Sequence, residues 1–193
     1  MSFFVKKAAV LILAMAASLG GINSYAATAP TKQKPAMQTV STLSGKFEFK
    51  LPDSYVANPL PAGDEASGTA GETGTMYVNK TTKSVVIAVE HPLQAGVNAK
   101  DNDADFLDGA VAGFLKQQSA GLPDFKKLSE KKLTLKGLGV RQIDSTATMG
   151  GGRTLSTTFL AGSGTHMSVV QVIFRADDQA GHDKLIKQIV GGQ

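Results

Sequence analysis

Side chains capable of chemistry are few in this sequence and stand far apart. The three histidines are His91, His166 and His182, and no two have a spacing, such as HxxxH, that would place two imidazoles on one metal ion. The sequence contains no cysteine, which excludes thiol catalysis and thiolate metal sites. We therefore predict no catalytic, metal-binding or cofactor-binding residue, and we expect the histidines to lie on the surface or at strand ends.

One serine lies close to a histidine, because Ser163 precedes His166 by three residues in the segment GSGTH. A serine nucleophile elbow requires a turn from a strand into a helix, whereas this segment joins two predicted strands. We interpret it as the glycine turn of a β-hairpin. The segment GLG at residues 137–139 is also interpreted as a turn, since it lacks the third glycine and the following helix of a dinucleotide-binding loop.

The acidic segment DNDAD at residues 101–105 has the spacing of the first ligands in a calcium-binding loop. Such a loop needs glycine at its sixth position and glutamate at its twelfth, and those positions hold Phe106 and Ala112. Asp103 and Asp105 instead precede a helical stripe and can accept hydrogen bonds from its free N–H groups. The segment is predicted to begin a helix rather than to bind calcium.

Two helices are predicted from apolar residues at helical spacing. The first covers residues 103–119, and its apolar stripe consists of Phe106, Leu107, Ala110, Val111, Phe114 and Leu115. The second begins at residues 177–178, ends at the glycines 191–192, and is expected to bury Ala180, Leu185, Ile186, Ile189 and Val190.

Alternating apolar residues predict strands in both halves of the sequence. The alternation of residues 47–51 predicts one strand, and residues 76–78 and 84–89 predict a hairpin. The run VVIAV is apolar on both faces, which indicates a central strand covered on both sides. After a polar loop at 58–74 and the first helix, strands are predicted at 132–136, 140–149, 153–161 and 166–174. The predicted fold class is α+β, with about six antiparallel strands packed against two helices.

The first 26 residues have the features of a secretory signal peptide. Lys6 and Lys7 precede an apolar run of twelve residues, and Ser24 and Ala26 place small side chains where cleavage between Ala26 and Ala27 requires them. The alternative is an uncleaved membrane anchor, for which the run is short. After cleavage we expect no stable membrane anchor, a disordered linker at residues 27–42, and a single domain at residues 43–193.

The charge of the predicted mature chain is close to neutral. The first 26 residues hold two of the 20 basic residues and none of the 16 acidic ones, which leaves a net charge of +2. Both signs are interspersed, as in the segment KKLSEKK at 126–132, and do not form a basic stripe. We therefore expect no nucleic-acid partner.

Several segments together resemble the DcrB family of bacterial envelope proteins. They are SGKFEFKLP at 44–52, MYVNKTTKSVVIAVE at 76–90, and two longer stretches at 114–145 and 154–179. The resemblance implies a periplasmic protein of Gram-negative bacteria with a PsbP-like fold, in which helices sandwich an antiparallel sheet. It also implies a non-enzymatic accessory role that includes a link to bacteriophage uptake. Family members can be lipoproteins, but this sequence lacks the cysteine that lipidation requires.

The leading hypothesis is therefore a binding or accessory protein of the cell envelope whose partner is another envelope protein. A chaperone for exported apolar segments is a variant of this hypothesis. The alternative is a small periplasmic hydrolase whose site is assembled only by folding, with loop 58–74 as a contributor. The hypotheses differ in one respect that can be tested, because a binding surface distributes its energy over many side chains whereas a catalytic site depends on a few.

Overall fold

Nine strands and two helices account for most of residues 36–65 and 69–191, the part of the chain that the computed structural model describes. The strands are β1 Met37–Thr42, β2 Phe47–Pro52, β3 Val56–Pro59, β4 Thr73–Asn79, β5 Ser84–Pro92, β6 Lys126–Leu135, β7 Leu138–Met149, β8 Gly152–Ser163 and β9 His166–Arg175. The helices are α1 Ala104–Gly121 and α2 Gln179–Gly191.

Seven of the strands form one antiparallel sheet in the order β3-β4-β5-β9-β8-β7-β6. The last strand of the chain, β9, therefore lies at the centre of the sheet, between β5 and β8. Strands β1 and β2 form a separate antiparallel hairpin. The predicted α+β class is confirmed, with seven strands plus a two-stranded hairpin in place of the expected six.

One face of the large sheet carries the main apolar core, and we call it the hairpin face because β1 and β2 cover it together with α2. Alternate residues of the central strands, such as Val86, Phe159 and Val170, are fully buried there. They pack against the hairpin and helix residues Phe47, Phe49, Leu51, Leu185 and Ile189. Each such side chain contributes roughly 1.5–3 kcal/mol when it is removed from water.

The opposite face is covered in part by α1, and we call it the α1 face. Leu107, Val111 and Phe114 are buried against it, and they pack over β7 and β8. Two glycines permit this close packing. A Cβ atom added to Gly162 would overlap the ring of Phe106, and one added to Gly139 would overlap the side chain of Asn102. The predicted helix and its buried stripe are confirmed for Leu107, Val111 and Phe114.

The predicted linker at residues 27–42 is wrong in its last third, because Met37–Thr42 form β1. Val40 is 2% exposed and packs in the core of the hairpin face. The strand alternates buried and exposed residues, but threonine, serine and glutamine dilute its apolar pattern. The predicted signal peptide, the cleavage site between Ala26 and Ala27, and the rest of the linker lie outside the described residues.

The two edge strands of the sheet agree least with the prediction. Strand β3 was not predicted, its last two residues fall in the predicted polar loop 58–74, and all four of its residues are exposed. Strand β4 also begins inside that loop, at Thr73. Strand β6 begins at Lys126 rather than at residue 132, and its register shifts between Lys127 and Ser129. Edge strands of this kind carry charge and irregularity instead of regular apolar alternation.

Helix α2 was predicted at nearly the right place, but one of its core residues was wrong. Ala180 is exposed, whereas His182 is 7% exposed and packs edge-on against the ring of Phe174 at a centroid distance of 5.7 Å. Leu185 and Ile189 are buried as expected. A histidine occupies the first inward position because it forms a hydrogen bond with the sheet, described below.

Candidate functional site

Ser163 is the last residue of β8 and His166 is the first residue of β9, and the two lie opposite each other. The Ser163 hydroxyl donates to Asp101 Oδ1 at 2.6 Å and accepts from Lys46 Nζ at 2.9 Å. The imidazole Nδ1 of His166 lies 3.1 Å from Thr165 Oγ1. The serine proton is therefore directed to a carboxylate and not to the histidine, and the turn interpretation is confirmed by the β8–β9 hairpin.

Two acidic residues of the DNDAD segment have separate structural roles. Asp103 caps α1 by accepting from Phe106 N at 3.1 Å, which confirms the predicted helix start. Asp101 forms an ion pair with Lys46 at 2.8 Å. The hydrogen bonds from Lys46 and Ser163 lower the pKa of Asp101. Together these contacts join the β1–β2 hairpin to the segment before α1 and to the β8–β9 turn.

His182 belongs to a polar chain buried between α2 and the sheet. Its Nε2 atom lies 3.0 Å from Thr157 Oγ1, and that hydroxyl donates to Asp144 Oδ1 at 2.7 Å. Because the single Thr157 proton goes to the carboxylate, Thr157 accepts from His182 Nε2–H, which fixes the tautomer. The Nδ1 atom of His182 lies 3.2 Å from Asp183 Oδ1.

Threonine, histidine and aspartate in this order have the residue types of a nucleophile triad, but the geometry differs. Thr157 is fully buried beneath α2, and its proton points away from the imidazole. Burial alone would raise the pKa of Asp144, but hydrogen bonds from Ser129, Thr157 and Gln142 lower it below the ordinary value. This polar chain holds α2 on the sheet through an ionised carboxylate that accepts several hydrogen bonds.

His91 forms the closest polar contact of the three histidines, with Glu72 at the end of the long loop between β3 and β4. Its Nδ1 atom lies 2.5 Å from Glu72 Oε1, and the two side chains are 11% and 13% exposed. Burial raises the pKa of Glu72 to about 7 and lowers the pKa of His91 to about 4. Between these values both side chains are therefore neutral.

Sequence reasoning placed the three histidines on the surface or at strand ends, and this was right for His166 and, by its place at the end of β5, for His91. His166 is exposed at the start of β9. His91 lies near the end of β5 but is buried, and His182 is buried within α2. Glu72 was not singled out, since its partner lies 19 residues away and the surrounding loop has no motif.

The largest candidate site is an apolar area of the α1 face that lies beside the helix, on β3, β4, β5 and β9. Across these strands Val56 lies opposite Val78, Val78 opposite Val85, and Val85 opposite Ile173. A second row adds Met76 opposite Ile87. We call these six residues the open face: Val56, Met76, Val78, Val85, Ile87 and Ile173.

The open face is partly exposed along its whole width. Val56 is 58% exposed, and the other five side chains are of intermediate exposure. The prediction that residues 85–89 are covered on both sides was wrong on this face, because α1 packs over β7 and β8 instead. A strand that is apolar on both faces is suited to burial on both faces. The pattern does not show whether another element of the same chain or a binding partner buries each face.

Buried polar groups border the open face on the side of α1. The side-chain oxygens Ser156 Oγ, Thr158 Oγ1 and Gln171 Oε1 have no hydrogen-bond partner among residues 36–65 and 69–191. Gln171 lies opposite both Ile87 and Thr158 in the register. On α1, Ala110 packs against the apolar cluster under the helix, and Asp108 accepts a hydrogen bond from Arg141.

Within the described residues, no group of three histidine, aspartate or glutamate side chains is arranged to hold a metal ion. In that part of the chain, no helix is both long enough and apolar enough to cross a membrane.

The fold is similar to that of a solved PsbP protein, and two other solved structures match with lower TM-scores. Cyanobacterial PsbP (CyanoP) from Synechocystis sp. PCC 6803 matches with a TM-score of 0.57 and 7% identity, over 86% of this chain and 95% of CyanoP. LpqN, involved in cell envelope biogenesis of Mycobacterium tuberculosis, matches with a TM-score of 0.47 and 14% identity, over 83% of this chain and 84% of LpqN. PA94, a protein of unknown function from Pseudomonas aeruginosa, matches with a TM-score of 0.43 and 16% identity, over 79% of this chain and 92% of PA94.

No protein-family model matches the sequence, and no curated protein matches it. The likeness to CyanoP shows a PsbP-like fold, in which helices lie on both faces of an antiparallel sheet. The fold implied by the resemblance to the DcrB family is thereby confirmed.

Proposed function

We propose that this protein is an exported, non-enzymatic accessory protein of the bacterial cell envelope, of the DcrB family, and that it acts by binding. The observation that carries the proposal is the open face. Six apolar side chains from four adjacent strands remain partly exposed beside a helix that could have covered them. Contiguous apolar surface of this kind marks a binding site in soluble proteins.

The arrangement of the polar side chains supports binding over catalysis. Ser163, His182 and Asp103 each form hydrogen bonds that hold elements of the fold together. None of these groups points into the open face. A binding function requires no reactive group there, only apolar area whose burial removes it from water.

The partner is an envelope protein, and the exposed strand β3 adjoins the open face where such a partner would dock. All four β3 residues are exposed, and the strand pairs on one side only. A chaperone for exported apolar segments would use the same face, and it would differ by binding unfolded chains of many sequences. Bacteriophage uptake is the process in which we expect the interaction to be visible.

A photo-crosslinking amino acid at Val56 or Val78 tests the proposal in intact cells. We expect covalent capture of one envelope protein from both positions, and none from the control position Val97, which is 41% exposed in the segment before α1. The variant Val56→Asp should abolish the crosslink from position 78 and reduce phage sensitivity, while Val97→Asp leaves both unchanged. Equal capture from position 97, or no capture at all, would contradict the proposal.

A further inference from the structure

The edge strand β6 carries a local excess of positive charge. It pairs with β7 on one side only, and seven of its ten residues are exposed. The segment at residues 126–136 holds five of the 16 basic residues found between residues 36 and 193, but one of the 16 acidic residues in that range. The domain is therefore neutral as a whole, and the positive charge of this edge is balanced by acidic residues on other elements.

Nearby carboxylates reduce this charge but do not remove it. Three lysines of β6 have an acidic partner, and the pairs are Lys127–Glu130 at 2.6 Å, Lys132–Asp108 at 3.4 Å and Lys131–Asp144 at 3.7 Å. The three lysine side chains remain 37%, 64% and 57% exposed, so their charges can still contact a further partner. Asp124, just before the strand, binds Thr148 and lies 3.7 Å from Arg153. Among the described residues, Lys126 and Lys136 form no ion pair, and both are exposed.

Leu128 lies in the middle of these lysines and is 53% exposed. The register of β6 and β7 shifts between Lys127 and Ser129, so the intervening Leu128 is the extra residue of a β-bulge. All four lysines of β6 lie within four residues of Leu128, which is about 13 Å along an extended strand. Lysines on an edge strand protect it against pairing with other chains, but an exposed leucine does not. Leu128 therefore requires a separate explanation.

We propose that this edge binds reversibly to an anionic phospholipid surface, and we call it the basic edge: Leu128 with the lysines at 126, 127, 131, 132 and 136. Leu128 enters the boundary between the lipid headgroups and the acyl chains, and the lysines contact the lipid phosphates. The binding is reversible, because one leucine and a few lysines hold a protein far less firmly than a membrane-spanning helix does. The inference goes beyond the proposed function, which assigns no membrane contact.

A membrane surface suits the basic edge better than a second protein does. The core of a protein interface is a contiguous apolar area depleted in lysine, whereas the outer half of β6 offers one exposed leucine among four lysines. Apolar side chains flanked by lysines are typical of segments that lie at a membrane interface. The basic edge and β3 are separated by six inter-strand spacings, about 29 Å at roughly 4.8 Å each. A bound membrane therefore leaves the open face free for a protein partner.

Sedimentation of the exported, cleaved protein with phospholipid vesicles tests the inference. We expect binding to vesicles of equimolar phosphatidylglycerol and phosphatidylcholine, and at least about tenfold weaker binding to phosphatidylcholine alone. Lys126→Gln combined with Lys127→Gln should weaken binding to the mixed vesicles at least about tenfold, because each lysine near an anionic surface contributes roughly fivefold. Lys184→Gln combined with Lys187→Gln removes the same charge from the exposed side of α2 and should leave binding unchanged.

The contribution of Leu128 is tested by a second matched pair. Leu128→Ser should weaken binding to the mixed vesicles at least about threefold, because it removes an apolar side chain that would leave water. Val97→Ser should leave it unchanged, since Val97 is 41% exposed in the segment before α1 and lies outside the basic edge. Circular dichroism checks the folding of each variant, and centrifugation without vesicles corrects for aggregation through a less protected edge.

Four results would overturn the inference. They are no binding to the mixed vesicles, equal binding to phosphatidylcholine, equal losses from the β6 and α2 lysine variants, and full binding by Leu128→Ser. A photo-crosslink from position 128 to a protein, without vesicle binding, would also overturn it, since the partner would then be an acidic protein surface. Val56→Asp should leave vesicle binding unchanged, so the result does not depend on whether the open face binds an envelope protein.

Discussion

Burial shifts the pKa values of Glu72 and His91 in opposite directions, and the consequence is measurable as a pH profile. Burial raises the pKa of Glu72 from 4.5 to about 7 and lowers that of His91 from 6.5 to about 4. Between pH 4.5 and 6.5 the folded pair binds one proton, on the carboxyl, and the unfolded pair also binds one, on the imidazole. The two shifts therefore cancel, and the pair adds no pH dependence to stability over this range.

Removing either residue of the pair should reveal how the other makes stability depend on pH. The two dependences have opposite signs. In His91→Gln the raised pKa of Glu72 acts alone, so its contribution is full below pH 4.5 and is lost as pH rises through about 7. In Glu72→Gln the lowered pKa of His91 acts alone, so its contribution is present above pH 6.5 and is lost as pH falls through about 4. In each variant the free energy of unfolding should change by at most about 1.4 kcal/mol per pH unit. Urea melts from pH 4 to 8 would show these slopes, and slopes of the same sign in both variants would refute the opposite shifts of the two pKa values.

Thr157 and Thr158 provide a matched comparison of two buried hydroxyls. Both residues are fully buried, but Thr157 bonds to Asp144 and His182 whereas Thr158 Oγ1 has no partner among the described residues. Thr157→Val should reduce the free energy of unfolding by roughly 1–3 kcal/mol, because it leaves the His182 N–H buried without an acceptor. Thr158→Val should be neutral or stabilising, since it removes an unsatisfied group. Equal losses in chemical denaturation would mean that the polar chain does not hold α2.

At the scale of single elements, α1 is the part of the chain whose stability depends most on one apolar stripe. Phe114 is 3% exposed and packs on the α1 face, while Lys116 is exposed on the far side of the helix. Phe114→Ala should cost about 3–5 kcal/mol, because an aromatic ring is lost and a cavity remains. Lys116→Ala should cost less than about 0.5 kcal/mol. Similar losses for the two variants in urea melts would show that the stripe does not anchor the helix.

Elements with a strong local pattern could be predicted from the sequence, and elements set by their neighbours could not. The stripe of α1 and the alternation of β2 follow from residues close together in the chain. Strand β3 carries no such pattern, because it lies exposed at an edge and ends in Pro59. The first half of β6 also lacks a regular apolar alternation, because its lysines are exposed. His182 and Glu72 escaped prediction because their partners come from distant strands.

At the scale of the whole molecule, the sequence predicted the fold class but not the site. The apolar run of residues 85–89 was correctly assigned to a central strand, yet its second face belongs to the open face instead of a covered core. Residue types alone could not distinguish a covered core face from a binding face, because valine is equally suited to packing against a helix and to contacting a bound partner.

The central position of β9 also decides when the sheet can be completed. A chain is synthesised from its N-terminus, so β5 is available long before residues 166–175, with which it pairs. Until they arrive, β5 has a bare edge and exposed valines on both sides, a combination that favours aggregation. Closing the sheet joins segments about 80 residues apart in sequence, which makes folding slow compared with local helix formation. Because β9 joins β5 to β8, the large sheet cannot be completed until residues 166–175 are available for pairing.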